Sequence, residues 1–420
     1  MAASEHSGSA TSHFRDRALI SIAAFLRSFG VGLLGVILGI YLFRAGYSSL
    51  AIGIVVGAGL AGASLATFIV SFAADRLGRK RSLLVLSVLS AVGGLALVSI
   101  FSLPFFLLIA IAFLGMLNGT GTDRSPSYAI EQAIIPGLVP DSARTWNLAF
   151  YNALIDGGGS LGALAAGLPL FLQHRAGLSV FAAYKVLFLA YVGLSLAIAG
   201  IYALLSPAVA IGVRSALAAH RIAPETKKVL TRLTALFSLD AFGGGFLTDA
   251  LVSYWFFRRF GIAEQNLGLV FFTVHVLNAF SHLGAAWLAK RIGLVNTMVL
   301  THLPSSLFLI AVPFAPSFKW AVLLFFCREA LVEMDVPTRQ SYVAAMVQPS
   351  ERTFAAGITN LARNVFWAIG SASAGALMQA LTFSAPLIVG GAAKVAYDML
   401  LFRAFRRVKP PEERHFGVSG

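Results

Sequence analysis

Apolar runs of about twenty residues or more alternate with short polar stretches along almost the whole chain. A hydrocarbon core of about 30 Å takes roughly 20 apolar residues per helix. On that ruler the pattern predicts twelve spans: 18–43, 50–73, 82–102, 104–135, 145–172, 179–205, 232–257, 265–288, 294–314, 318–346, 354–378 and 383–403. Only one connection is long, 206–231, holding Pro207, Arg214, His220, Arg221, Pro224, Glu225, Lys227 and Lys228. The expected fold is an all-α membrane protein of twelve transmembrane helices in two pseudo-symmetric halves. Its parts are a tail (1–17), a six-helix half (18–205), a linker (206–231), a second six-helix half (232–405) and a tail (406–420). The polar start, Met1–Asp16, lacks the short apolar core and small-residue cleavage site of a removable signal peptide.

Composition agrees with a polytopic class. Of 420 residues, 58% are hydrophobic and 12% charged, about half the ~25% charge of a globular domain. The formal charge of +14 belongs to loops facing anionic headgroups, because there is no polar basic domain to bind nucleic acid. Cys327 is the single cysteine, so there is no intrachain disulfide and no Cys-rich metal site. Of the Lys and Arg at helix ends and in loops, twenty fall on the side of the N-terminus and six (Arg44, Arg175, Lys185, Arg258, Arg259 and Lys319) on the other. That asymmetry predicts cytoplasmic termini and linker, and a plasma-membrane protein.

The two halves repeat each other. A shift of 213 places Arg27, Phe29, Gly30, Gly32, Leu34, Tyr41 and Phe43 on Asp240, Phe242, Gly243, Gly245, Leu247, Tyr254 and Phe256. A shift of 208 places Arg144, Thr145 and Asn152 on Arg352, Thr353 and Asn360. Asp123-Arg124-Ser-Pro126 echoes Asp335-Val-Pro337, and Asp75-Arg-Leu-Gly-Arg-Lys has a worn copy in Lys290-Arg-Ile-Gly293. Parallel repeats of this kind are a transporter architecture.

The stretch Ser71-Phe-Ala-Ala-Asp75-Arg76-Leu-Gly78-Arg79-Lys80 resembles the loop signature of the major facilitator superfamily, G-x-x-x-D-R-x-G-R-K, with Ser71 at the first position. Met334-Asp-Val-Pro-Thr-Arg339-Gln-Ser-Tyr342 with Glu351-Arg352-Thr353 is similar to prokaryotic members of undefined substrate. Asp156-Gly-Gly-Gly-Ser-Leu-Gly162 lacks the Gly-Pro of the drug-antiporter motif. The resemblance implies alternating access about a central cavity lined by helices one, four, seven and ten. It also implies a conformational latch at Asp75, Arg76, Gly78 and Arg79.

Charges inside spans escape lipid by facing such a cavity. The candidate substrate and proton cavity comprises Arg27, Asp123, Arg124, Glu131, Asp240, Asp249, Arg328, Glu329, Glu333, Asp335 and Arg339. Arg27 sits about nine residues into helix one, roughly 13 Å deep at 1.5 Å per residue, level with Asp240 and Arg339. The pairs expected are Arg27–Glu131 and Asp240–Arg339, of swapped polarity between the halves. Asp123 and Asp335, each before a proline expected to bend its helix, lead as proton carriers, with Arg124 and Arg328 as alternative neutralising partners. His275 and His282, seven apart, share a helix face and are expected to make polar contacts between helices, with a ligand or proton-relay role as the alternative.

These readings converge on a secondary active transporter of a small solute, proton-coupled, monomeric and embedded in the lipid bilayer. An uncoupled facilitator and a transport-dead sensor or assembly factor are the alternatives. No Walker loop, catalytic cluster, metal site or cofactor motif appears in the sequence, so enzyme activity and ATP-driven pumping are not expected.

Overall fold

The computed structural model describes residues 2–123, 125–140, 144–210, 224–347 and 352–406. They form α1 (Ala2–Arg44), α2 (Ser49–Leu77), α3 (Arg79–Val98), α4 (Phe105–Leu114), α5 (Pro126–Ile134), α6 (Arg144–Leu164), α7 (Leu168–Ala176) and α8 (Val180–Ala203) in the first half. The second half holds α9 (Pro224–Gly245), α10 (Asp249–Phe260), α11 (Glu264–Ile292), α12 (Leu294–Ala311), α13 (Phe318–Val332), α14 (Asp335–Met346), α15 (Arg352–Ala380) and α16 (Ala385–Phe405). Among the described residues, nine helical stretches are long and apolar enough to cross a membrane. The pairs α4–α5 and α13–α14 and the more polar α15 supply three further passages, so the expected twelve are present. α9 begins at Pro224, inside the stretch assigned above to the linker.

Four passages are broken where an uninterrupted span was expected, and the local sequence explains each break. Pro126 does not bend a helix. It opens α5 at its first turn, behind Ser125, whose hydroxyl accepts from the Tyr128 amide at 3.4 Å. Pro337 likewise falls in the first turn of α14. Proline belongs there, because the first amides of a helix have no intrahelical acceptor. Gly243-Gly244-Gly245 closes α9 before α10, and a 3-10 turn (Ala165–Gly167) followed by Pro169 separates α6 from α7.

The repeat seen in the sequence reappears as identical contacts. A Cβ at Gly162 would lie 1.9 Å from the carbonyl oxygen of Phe29, and one at Gly370 would lie 2.2 Å from that of Phe242. A Cβ at Gly32 would lie 2.0 Å from the Gly159 oxygen, and one at Gly245 would lie 2.2 Å from the Trp367 oxygen. Phe29 and Phe242, and Gly32 and Gly245, are related by the shift of 213; Gly162 and Gly370, and Gly159 and Trp367, by 208. The α1–α6 and α9–α15 crossings are thus the same backbone-to-backbone packing, which only glycine allows. The tight turns after α2 and α11 match as well: Gly78 has φ +90° and Gly293 has φ +85°.

Between the halves, α2 packs on α15, α6 on α11, and α1 on α10. At the end away from the start of α1, here the outer end, the buried apolar residues form one cluster shared by both halves, from Leu33–Leu42 to Phe246–Phe256. At the other end they separate into a first-half cluster around Ile20, Leu83 and Tyr202 and a second-half cluster around Leu233, Met298 and Tyr397. Arg44–Glu264 at 2.6 Å, Tyr184 donating to Glu264 at 2.5 Å and Ser49–Tyr254 at 3.0 Å join the halves at the outer end. The molecule is therefore drawn together at the outer end and parted toward its termini. Exposed Phe68, Ile69, Val85, Leu189, Trp287 and Leu307 give the outside of the bundle an apolar face, the face a bilayer requires.

Candidate functional site

In the first half, Arg27 is the hub. Its Nε donates to Asp123 Oδ2 at 2.7 Å, and its two Nη atoms donate to Glu131 Oε1 and Oε2 at 3.0 and 2.6 Å. The hydroxyls of Tyr151 and Tyr202 each donate to Glu131 at 2.5 Å. The other Asp123 oxygen accepts from the Ser125 amide at 3.1 Å. The Arg27–Glu131 contact matches the pair expected from the repeat, a bidentate geometry that a planar guanidinium favours. Asp123 departs from expectation: its described charged partner is Arg27, and it does not line the cavity described below. Arg124 lies outside the described residues.

In the second half the hub is an acid. Asp240, at the position equivalent to Arg27, accepts from Lys394 Nζ at 2.7 Å and from Arg363 Nη1 at 2.8 Å. Arg339 stands 3.6 Å away and His302 3.5 Å away. The expected Asp240–Arg339 proximity is there, yet Lys394 and Arg363 are closer and Arg339 is held by Asp335, four residues earlier on α14. His302 Nδ1 faces the Asp398 carboxylate at 2.9 Å. Arg328, offered above as the neutraliser of Asp335, instead pairs with its neighbour Glu329.

A cavity of about 90 Å³ lies between the halves, level with the breaks in passages four, seven and ten. Of the sequence-predicted residues, Asp240, Asp249, Arg328, Glu329, Glu333, Asp335 and Arg339 line it; Arg27, Asp123 and Glu131 form the separate network behind. The first half contributes Thr120 and Thr122 from the non-helical stretch between α4 and α5, where Thr120 donates to Asn118 at 2.5 Å. Non-helical backbone at this depth is tolerated where it lines a polar space. Sequence reasoning missed His302, Tyr151 and Tyr202, none of which carries a local mark. Arg363, Lys394 and Asp398 are also charges inside predicted spans, and for the last two the opposite charges four apart on α16 are the available signal.

Of the latch candidates, Gly78 makes the turn and Arg79 Nη1 reaches the Ala133 carbonyl at 3.4 Å. The neighbouring Lys80 donates to the Leu205 carbonyl at 2.7 Å. These cations sit on helix-end carbonyls, where positive charge is favoured. The side chains of Asp75 and Arg76 lie outside the described residues.

The family model of the Major Facilitator Superfamily matches residues 20–327 and 233–419. The chain belongs to this superfamily. Its members are membrane transporters, not enzymes. The chain is 26% identical over 437 residues to the "Uncharacterized membrane protein YJR124C" of Saccharomyces cerevisiae, covering 96% of this chain and 97% of that protein. Among solved structures it resembles the nucleoside transporter NupG, with TM-score 0.71 and 15% identity over 93% of this chain and 99% of that one. It also resembles the D-xylose-proton symporter (TM-score 0.70, 14% identity, 93% and 98% covered). The xylose transporter XylE from E. coli in an inward-open conformation gives 0.70 and 13%, with 96% and 99% covered. These likenesses establish the superfamily fold.

Proposed function

We propose that this chain is a secondary transporter that carries a small solute by rocking its two halves about the cavity, with protons as the coupling ion. The observation that carries this reading is a charged cavity between the halves, beneath one joined apolar core and above two separate ones. Such a split is what one access state of a two-sided carrier requires: substrate sites in these folds lie near the midplane at the repeat interface, with broken helices around them. That D-xylose-proton symport and nucleoside transport occur on the same fold supports the reading. The charge distribution of the sequence supports cytoplasmic termini in a plasma membrane, which makes the parted side the cytoplasmic one. The turn at Asp75–Arg79 serves as the conformational latch, and the chain works as a monomer.

The cavity holds cations (Arg328, Arg339, Arg363 and Lys394) beside carboxylates, so an anionic or a cationic group finds a partner there. A screen of solute classes for ligands that raise Tm of the purified protein identifies the cargo, because a ligand bound only to the folded state stabilises it by mass action. Uptake of that solute into proteoliposomes, accelerated by an imposed pH gradient, is the expected result. Uptake indifferent to the gradient would leave the facilitator reading, and no flux of any stabilising solute would overturn transport itself.

A further inference from the structure

Most buried charges of the cavity are locked by permanent cations. Asp240 holds Lys394 and Arg363, Asp335 holds Arg339, and Glu329 holds Arg328. Arginine does not release its proton in a protein, so these carboxylates are poor places for a proton that must come and go. Asp249 differs. It opens α10 at the break in passage seven and is 9% exposed, as is His275 on α11. Its Oδ2 lies 3.3 Å from His275 Nε2, and neither atom has another hydrogen-bond partner among the described residues. Histidine is the side chain whose charge changes most readily near neutral pH.

The pair also sits where the halves touch. A Cβ at Gly121 (φ +78°) would lie 1.7 Å from Asp249 Oδ2, and one at Gly35 would lie 3.2 Å from Asp249 Cβ. The first half thus presents bare backbone to this carboxylate. One residue on, the Ala250 amide donates to the Gly119 carbonyl at 2.9 Å, tying the break in passage seven to that in passage four.

We propose that Asp249 and His275 form the site that binds and releases the coupling proton. This rests on the reading of the chain as a proton-coupled carrier, and it displaces Asp123 and Asp335 from that role. With the halves pressed together, the pair shares one proton in the contact. When they part there, Gly121 and Gly35 leave Asp249, water enters, and that proton passes to the solution on the newly open side. The charged groups facing the pair are Asp156 from α6, Arg328 and Glu329 from α13, and Glu333 between α13 and α14. Across the cavity stand Asp335 and Arg339 from α14 and His302 from α12. Arg44 of α1 meets Glu264 at the far end of α11.

The test needs no knowledge of the solute. Proteoliposomes of the full chain on a solid-supported membrane are given a pH jump, and the transient charge displacement of proton binding is recorded. The expected results are a transient in the wild type, at least a tenfold loss of amplitude in Asp249→Asn, and a shifted pH midpoint in His275→Gln. His174→Gln, at an exposed site on α7, should leave it unchanged. Asp249→Glu, which keeps an ionisable group, should restore the transient, separating loss of the proton site from failure to fold. A full transient in folded Asp249→Asn, or one lost in Asp123→Asn or Asp335→Asn but kept in Asp249→Asn, would overturn the assignment. Solute flux in a wild type that shows no transient would also overturn it while leaving transport standing. A transient that depends on Asp249 in a protein that moves no solute would sustain the proton site and remove the transport reading.

Discussion

The two halves build the same corner from opposite charges, and that difference separates their duties. In the first half a single guanidinium, Arg27, is wrapped by Asp123, Glu131 and two tyrosine hydroxyls, behind the cavity wall. In the second half a single carboxylate, Asp240, is surrounded by Lys394, Arg363, Arg339 and His302, and all five line the cavity. A carboxylate left without its cation can take up a proton and become neutral, whereas a guanidinium left without its acid cannot lose one. The first-half network is therefore the more forgiving, although its geometry is the more closed.

The largest expected effect breaks the unforgiving side. Asp240→Ala leaves Lys394 and Arg363 buried without their acid, and removing one partner of a buried pair typically costs about 3–5 kcal/mol. The expected outcome is a large fall in Tm. Arg27→Met should cost less, because the carboxylates it leaves behind keep hydrogen bonds from Tyr151, Tyr202 and the Ser125 amide. Equal Tm losses in the two variants would erase the contrast. Exchanging the partners, Arg27→Glu with Glu131→Arg, should recover much of the roughly 3–5 kcal/mol that either change forfeits alone; a double variant as unstable as the singles would sink the pairing.

Smaller effects sharpen the symmetry instead of the difference. Gly162→Val and Gly370→Val force a side chain into equivalent helix crossings, and overpacking typically costs about 1–3 kcal/mol. Matched Tm losses are expected, while Gly193→Ala, with open space around it, should stabilise by up to about 1 kcal/mol. Arg44→Ala is read in conformation instead of stability. It removes a charged hydrogen bond worth about 1.5–3 kcal/mol from the joined end, so the population open at that end should rise about tenfold or more. Spin labels at exposed Phe106 and Arg259, in a chain with Cys327 replaced, would report it as a longer distance; an unchanged distance distribution would deny Glu264–Arg44 any part in holding the outer end closed.

Hydropathy alone determined the class, the number of passages and their division into halves, because lipid leaves a helix no other way to satisfy its backbone. The two shifts of the repeat also carried Gly32 onto Gly245 and Gly162 onto Gly370, positions the structure places in equivalent crossings. The pair Arg27–Glu131 was legible from the same repeat, because its members match the Asp240 and Arg339 positions in opposite charge. What pairs across distant helices was not legible. Asp240 meets Lys394, 154 positions away, and nothing in the local pattern of α16 names that partner. The breaks at 115–123 and at Glu333–Met334 set Asp335 on Arg339 and Asp123 on Arg27, so two residues expected as proton carriers are held by arginines. Only the tertiary structure set Asp249 beside His275 and against Gly121, because that contact exists solely where two separately folded halves close on each other.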